Sequence, residues 1–211
     1  ARRRPPRGRE GPVLSKAGRR SDLRALLADT ARLVVDDGLE MEEAYRRTCR
    51  KQDIQLKQTP PVEALRSAIR EYRELFRPQQ LVQLRQQRRL ALQAMSEFLP
   101  FQPQLFGSLL HGDGPVNTIR LMLFAEAPEQ VMHHLSDRHI PWQDTEVVLS
   151  YSGGRRTARP ALHFFAGETM VELVMLDHQS RSDPPRDPLT GKRLEMQGID
   201  QLNALLDEAP T

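Results

Sequence analysis

The sequence predicts an α+β fold, with an N-terminal helical region followed by a small mixed β-sheet domain. Two observations carry this. Between residues 21 and 99 the apolar side chains recur at spacings of three and four, which is the helical period. After Pro100 they alternate, and Gly, Pro and Ser clusters break the chain into short runs, as strands and turns require. The 211 residues suffice for one large domain or two small ones. The division expected is a basic, disordered tail over 1–20, a helical region over 21–99 and an α+β domain over 100–211.

Ser21 is suited to cap a helix over 22–37, with Leu23, Leu26, Leu27, Ala31 and Val34 as its apolar stripe and Gly38 ending it. A second helix is expected over 41–50, turning Ala44, Thr48 and Cys49 inward. Thr59-Pro60-Pro61 introduces a third, with Val62, Leu65, Ile69, Tyr72 and Phe76 on its buried face. Arg77-Pro78 breaks the chain. A fourth helix over 79–99 carries Leu81, Leu84, Ala91, Met95 and Phe98, and Arg88 interrupts that stripe. The Arg- and Gln-rich stretch from Arg85 to Arg89 reads as a solvated face.

Beyond Pro100, Val116–Phe124 reads as a strand through the alternation of Ile119, Leu121 and Leu123. Ala127-Pro128 opens a helix to Arg138. Strands are expected over Thr145–Tyr151, Ala161–Phe165 and Met170–Leu176, with a tight turn at Ser152-Gly153-Gly154. Residues 177–193 read as an irregular arm, and Ile199–Leu206 as a final short helix.

Composition excludes several classes. No run approaches the roughly 18 apolar residues of a membrane span, so no membrane partner is expected. The single cysteine, Cys49, excludes an internal disulfide framework and a cysteine-built zinc site, and reads as a small buried core residue. No apolar stretch follows the basic start, so a secretory signal is not expected and the cytoplasm is the expected compartment. Charge is unevenly placed. Residues 1–20 hold eight Lys/Arg against one acid, leaving 23 basic and 27 acidic residues for the rest. A basic tail of this kind can contact phosphates of a nucleotide or nucleic acid through Arg2, Arg3, Arg4, Arg7 and Arg9.

The strongest local signal is Leu105-Phe106-Gly107-Ser108-Leu109-Leu110-His111-Gly112, just before a strand. Glycines there let the backbone pass close to a ligand. Backbone N–H groups and the Ser108 hydroxyl are suited to phosphate oxygens. The segment resembles the signature of the polymerase-beta-like nucleotidyltransferase superfamily: Gly-Ser, then Gly, then Ser-Asp-hydrophobic-Asp on the following strand. Gly107-Ser108 and Gly112 match it, and Asn117-Thr118-Ile119-Arg120 occupies the carboxylate register. Val171-Glu172-Leu173-Val174 is similar to the family's third, later carboxylate strand. The likeness covers about 103–176. More narrowly, the chain resembles a group of small uncharacterised bacterial proteins that share the Leu105–Leu110 run, Ile119–Val131 and Val171–Leu176.

The resemblance implies a degenerate member. Nucleotidyl transfer uses two Mg²⁺ ions held by clustered carboxylates. Here Thr118 and Arg120 replace the first two, and only Glu172 remains. A guanidinium 4 Å from a divalent ion costs about 8 kcal/mol at an effective dielectric near 20. Arg120 and Glu172 are therefore expected to pair across strands. No metal and no cofactor is expected, and Glu172 is the sole candidate catalytic group. Gly107, Ser108, Gly112 and Arg120 are the candidate nucleotide- or anion-binding residues.

Other constellations point to packing. His133 and His134 are adjacent on a helix and face different sides, so with His139 they make no shared metal site. Trp142 is expected to pack. Ser108, His111 and Asp113 lack the nucleophile-elbow pattern of a hydrolase. The expected function is a catalytically degenerate nucleotidyltransferase-fold protein acting as a binding or scaffold module. Two alternatives stand beside it. One is an active Mg²⁺-dependent nucleotidyltransferase rebuilt around Glu172 with Asp113 or Glu126. The other is a nucleic-acid-binding protein using the tail and the helical region.

Overall fold

The computed structural model describes residues 16–54 and 61–208. Four helices come first: α1 (Lys16–Val35), α2 (Met41–Lys51), α3 (Val62–Phe76) and α4 (Pro78–Glu97). Then follow β1 (Gln104–Phe106), the one-turn α5 (Ser108–His111), β2 (Thr118–Phe124), α6 (Pro128–Asp137), β3 (Gln143–Ser150), β4 (Arg156–Ala166), β5 (Thr169–Leu176), β6 (Met196–Gln197) and α7 (Ile199–Glu208). The fold is α+β, as the change of period implies. The basic residues Arg2, Arg3, Arg4, Arg7 and Arg9 lie outside the described residues.

The six strands form one mixed sheet in the order β3-β4-β5-β2-β1-β6. Neighbours are antiparallel except β2 and β5, which run parallel in the middle, Arg120 opposite Glu172. Because side chains alternate along a strand, β2 is apolar on both faces for different reasons. Ile119, Leu121 and Leu123 are fully buried beneath Met95 of α4, Leu135 of α6 and Leu202 of α7. Met122 and Phe124 turn to the opposite face, where they meet Leu149, Tyr151 and Val174. Arg120 shares that second face, and its position there fixes the chemistry described below.

Helices α1 to α3 build a separate cluster around Leu26, Val34, Ala44, Cys49, Leu65 and Ile69. Helix α4 belongs instead to the sheet's core. The division expected at residue 100 falls inside that core, with Met95 and Phe98 on one side and Phe101 and Leu105 on the other.

Several local expectations are corrected. Among the described residues helix α1 runs from Lys16 to Val35, so position 21 lies inside it and not at its start. Gly38 does adopt a positive φ of 67° as the chain leaves the helix. Leu23 and Phe76, placed on buried stripes by spacing, are exposed. Phe76 stacks on Tyr72 with ring centroids 4.6 Å apart, while Arg73 takes the buried position on α3. Strands β3 and β4 are longer than expected, and the short strands β1 and β6 extend the sheet. These two hold two or three residues each, too few for alternation to register. The 177–193 arm contains a 3₁₀ turn, His178–Arg181, and a small hairpin that bridges to β3. Cys49 is buried in the helical cluster, and burial raises its thiol pKa. Trp142 packs against the main core. His134 lies against Phe98 and Phe101, its Nε2 2.7 Å from the carbonyl of Glu97. No helix among the described residues is long and apolar enough to cross a membrane.

Candidate functional site

Strand β1 ends at Gly107, whose φ of 82° and ψ of −156° place it in backbone territory open essentially to glycine alone. This lets the chain reverse from β1 into α5 beside Arg120. A Cβ on Gly107 would come within 3.5 Å of Arg120 Cδ. Ser108 follows at the start of α5, buried, with its hydroxyl 3.4 Å from the carbonyl of Pro115. Gly112 ends the turn with a φ of 69°, and a Cβ there would meet Leu84 of α4 at 2.9 Å. Gly107, Ser108 and Arg120 border one cleft of about 670 Å³, together with Glu40, Asp113 and Glu172. Gly112 is not part of its lining. It faces the helices.

Arg120 is the centre of this site. Its Nε donates to Glu172 Oε2 at 3.2 Å, and its Nη1 lies 2.9 Å from Glu40 Oε1. The first contact is the cross-strand pair expected from the sequence. The second comes from the residue that precedes α2, so the helical region closes the charge balance of the sheet. Burial pushes the Glu40 carboxyl above its usual range, and Arg120 pulls it back only in part. Asp113, also buried, accepts from Arg66 Nε at 3.0 Å. Burial raises its pKa too, against the pull of Arg66.

Two arginines of the helical region hold the Gly-rich turn by its carbonyls. Arg73 donates through Nε to Gln80 Oε1, through Nη1 to Gly112 O and through Nη2 to Gly114 O. Arg88 donates to Leu109 O and Leu110 O. The solvated face expected for Arg85–Arg89 therefore does not hold for Arg88, which reaches under the turn. Burial lowers the pKa of both guanidinium groups; Asp113 opposes this for Arg73, and the charge of Arg73 adds to it for Arg88. Among the described residues neither makes an ion pair with an acid.

Spacing along the sequence did not single out Glu40, Arg66, Arg73 or Gly114. Gly114 allows a close approach. A Cβ there would sit 2.5 Å from Ser108 Cβ and 3.0 Å from Glu40 Oε2. Gly114→Ala must therefore push either Ser108 or Glu40 aside. We expect a loss of about 1–3 kcal/mol, the usual cost of overpacking, in a urea-unfolding measurement. Gly153→Ala is the control, since it meets nothing within 4 Å and carries only the strain of its own positive φ.

The two raised carboxyl groups give stability a definite dependence on pH. A carboxyl with a raised folded-state pKa holds its proton more tightly folded than unfolded. Its contribution is fully present below the ordinary carboxylate range and is lost as pH rises through the folded pKa. Asp113→Asn removes one such group. The fall in urea midpoint between about pH 4 and about pH 7 should then be shallower than in the wild type. An unchanged slope would show that Asp113 is not the group responsible.

Other candidates do not assemble. Ser108, His111 and Asp113 make no relay. The serine hydroxyl turns to Pro115, Asp113 is held by Arg66, and His111 Nε2 lies 3.1 Å from Glu195 Oε2. Burial lowers the pKa of His111, so at neutral pH this contact is a hydrogen bond more than an ion pair. Glu126 lies past the far end of β2, six residues and on the order of 20 Å along the chain from Arg120. It cannot join Glu172. The donor set does not suit Mg²⁺, because Glu40 and Glu172 share Arg120 and Asp113 is taken by Arg66. Among the described residues no three His, Cys, Asp or Glu side chains form a group able to hold a metal. Comparison with protein-family models, curated proteins and solved structures finds no match to this chain.

Proposed function

We propose that this protein is a catalytically degenerate nucleotidyltransferase-fold module that binds a nucleotide-type anion in the cleft beside Gly107 and Ser108 without transferring it. One observation carries the reading: Arg120 sits between Glu40 and Glu172, where the resemblance calls for metal-holding carboxylates. A guanidinium locked by two acids gives the site an internal cation in place of a metal. The pairing across parallel strands, Arg120 beside Glu172, supports the likeness in topology as well as in motif. The size of the cleft is in the range of small-molecule sites.

The test is thermal unfolding with each of the four ribonucleoside triphosphates, in Mg²⁺ and again in EDTA. Binding to the native state raises the melting temperature by mass action. The expected result is a shift with at least one triphosphate that is equal in Mg²⁺ and in EDTA, with no nucleotide transferred to protein, RNA or water. A shift that needs Mg²⁺, or any transfer product, would overturn the degenerate reading in favour of an active enzyme built on Glu172. No shift at all would remove the nucleotide.

A further inference from the structure

The rim of the cleft at the sheet's β3 edge carries a row of cations that make no ion pair among the described residues. Arg156 is the register partner of Ser150 across β4 and β3. Ser150 bridges Arg186, and Arg186 bridges Arg193, both antiparallel. The backbone of Arg186 fixes the first bridge, its N–H donating to Ser150 O at 2.7 Å. Antiparallel partners present their side chains on one face, about 5 Å apart. Four neighbouring chain segments thus place three arginines and a serine in one line roughly 15 Å long. All four residues border the cleft at its edge, with Lys192 beside them, and by alternation along β3 the side chains of Ser150 and Arg156 lie on the face opposite Leu149 and Arg120.

Like charges directly opposite one another across strands are destabilising. The carboxylates close to this row are engaged elsewhere. Asp187 Oδ1 accepts from the backbone of Leu189 and Thr190 and from the Thr190 hydroxyl. Asp183 pairs with Arg155, and Glu195 is hydrogen-bonded to His111. Glu146 is four residues away along β3, on the order of 13 Å. Among the described residues, Arg156, Arg186, Lys192 and Arg193 make no ion pair, whereas Arg66 and Arg120 across the cleft each do. Arg186 donates through Nη1 to Gly191 O, and its buried Nε has no hydrogen-bond acceptor.

We propose that this row binds a ligand carrying several phosphoryl groups in succession. Guanidinium forks suit phosphate oxygens bidentately, and a line of them suits a chain of phosphates better than a single anion. The proposal deepens the binding reading above by naming the part of the ligand held at the cleft's rim. The same chemistry occurs in a nucleoside oligophosphate and in a nucleic-acid backbone, and the experiment separates them.

The probe is inorganic tripolyphosphate, measured by titration calorimetry on the full chain against inorganic phosphate and against sulfate at equal ionic strength. The variant is Arg156→Gln with Arg193→Gln. Both side chains are exposed and make no described contact, so the fold should survive, as an unchanged melting temperature would verify. Tripolyphosphate is expected to bind at least tenfold tighter than phosphate, and each arginine lost should weaken it about tenfold. Binding no tighter than sulfate, or equal binding by the double variant, overturns the proposal.

Two further arms use ATP and a short single-stranded RNA. Tighter binding of ATP supports the row with a nucleotide as its source. Tighter binding of RNA, with a salt slope reduced by about one per arginine removed, supports it with a nucleic-acid backbone. The two readings also fail separately. Nucleotide binding that ignores the double variant removes the row and leaves the cleft. Tripolyphosphate binding without a shift by any nucleoside triphosphate removes the nucleotide and leaves the row.

Discussion

Arg73→Met will cost about 3–5 kcal/mol of stability. The side chain is 1% exposed and is held by three acceptors, Gln80 Oε1, Gly112 O and Gly114 O. Methionine fills much of the volume and removes a buried charge, which by itself favours the variant. It also leaves three acceptors without a donor, two of them carbonyls in the turn that Arg66 of α3 holds separately through Asp113. A buried acceptor stranded in this way costs about 1–3 kcal/mol. The loss of the acceptors therefore outweighs the relief of charge. Arg73→Lys separates these effects, because one ammonium keeps the charge but cannot reach all three acceptors in the fork geometry of a guanidinium. Its expected loss is smaller, and both are read from urea midpoints at constant m. A methionine variant as stable as wild type would mean that the turn holds its own shape and that α3 merely lies against it.

This dependence changes how the helical region is understood. Its α1–α3 cluster has its own apolar core, against which Leu189 of the arm also packs, and three charged groups reach from it to the sheet and the turn: Glu40 to Arg120, Arg66 to Asp113, Arg73 to Gly112 and Gly114. The helices position and electrically balance the Gly-Ser turn. A cleft walled by two parts of one chain follows from that arrangement.

Periodicity made the helices and the central strands legible in the sequence. The sheet's two-layered chemistry was legible too, since alternation in β2 puts Ile119, Leu121 and Leu123 on one face and Arg120 on the other. The pairing of Arg120 with Glu172 followed from their positions on strands. What spacing could not supply was the partner across the cleft. Glu40 is separated from Arg120 by 80 residues, and nothing local marks it. Arg73 and Arg88 did leave a signal, for each is a charged residue at a position its helix otherwise keeps apolar. Such an interruption reads equally as a solvated face. Only the carbonyls of the turn, brought close by packing, tell a buried arginine from an exposed one. Leu23 and Phe76 failed in the opposite direction. They have the right spacing, yet both are exposed: Phe76 is the last residue of α3, and Leu23 lies two turns into α1.

Arg120 offers the second large effect and the decisive one for function. Arg120→Ala leaves Glu40 and Glu172 on either side of an empty position with no cation between them. Neither acid is fully buried, so the loss lies below that of a deeply buried pair, at about 2–4 kcal/mol near neutral pH. It should shrink as pH falls. Burial already raises the Glu40 pKa, and removing Arg120 removes the main influence that lowers it, so protonation relieves the repulsion progressively. Thr118→Asp with Arg120→Asp goes further, setting two new carboxylates beside Glu172. Without a divalent ion this variant should be the least stable of the series. With millimolar Mg²⁺ it should recover, because an ion that binds only the folded state stabilises it by mass action, while the wild type and Arg120→Ala gain little. That contrast would mean that one guanidinium stands in for a metal site and that the cleft has exchanged a cofactor for an internal cation. If Mg²⁺ moves the wild type as far as the double variant, Arg120 is no substitute, and the argument for a site that binds without transferring falls with it.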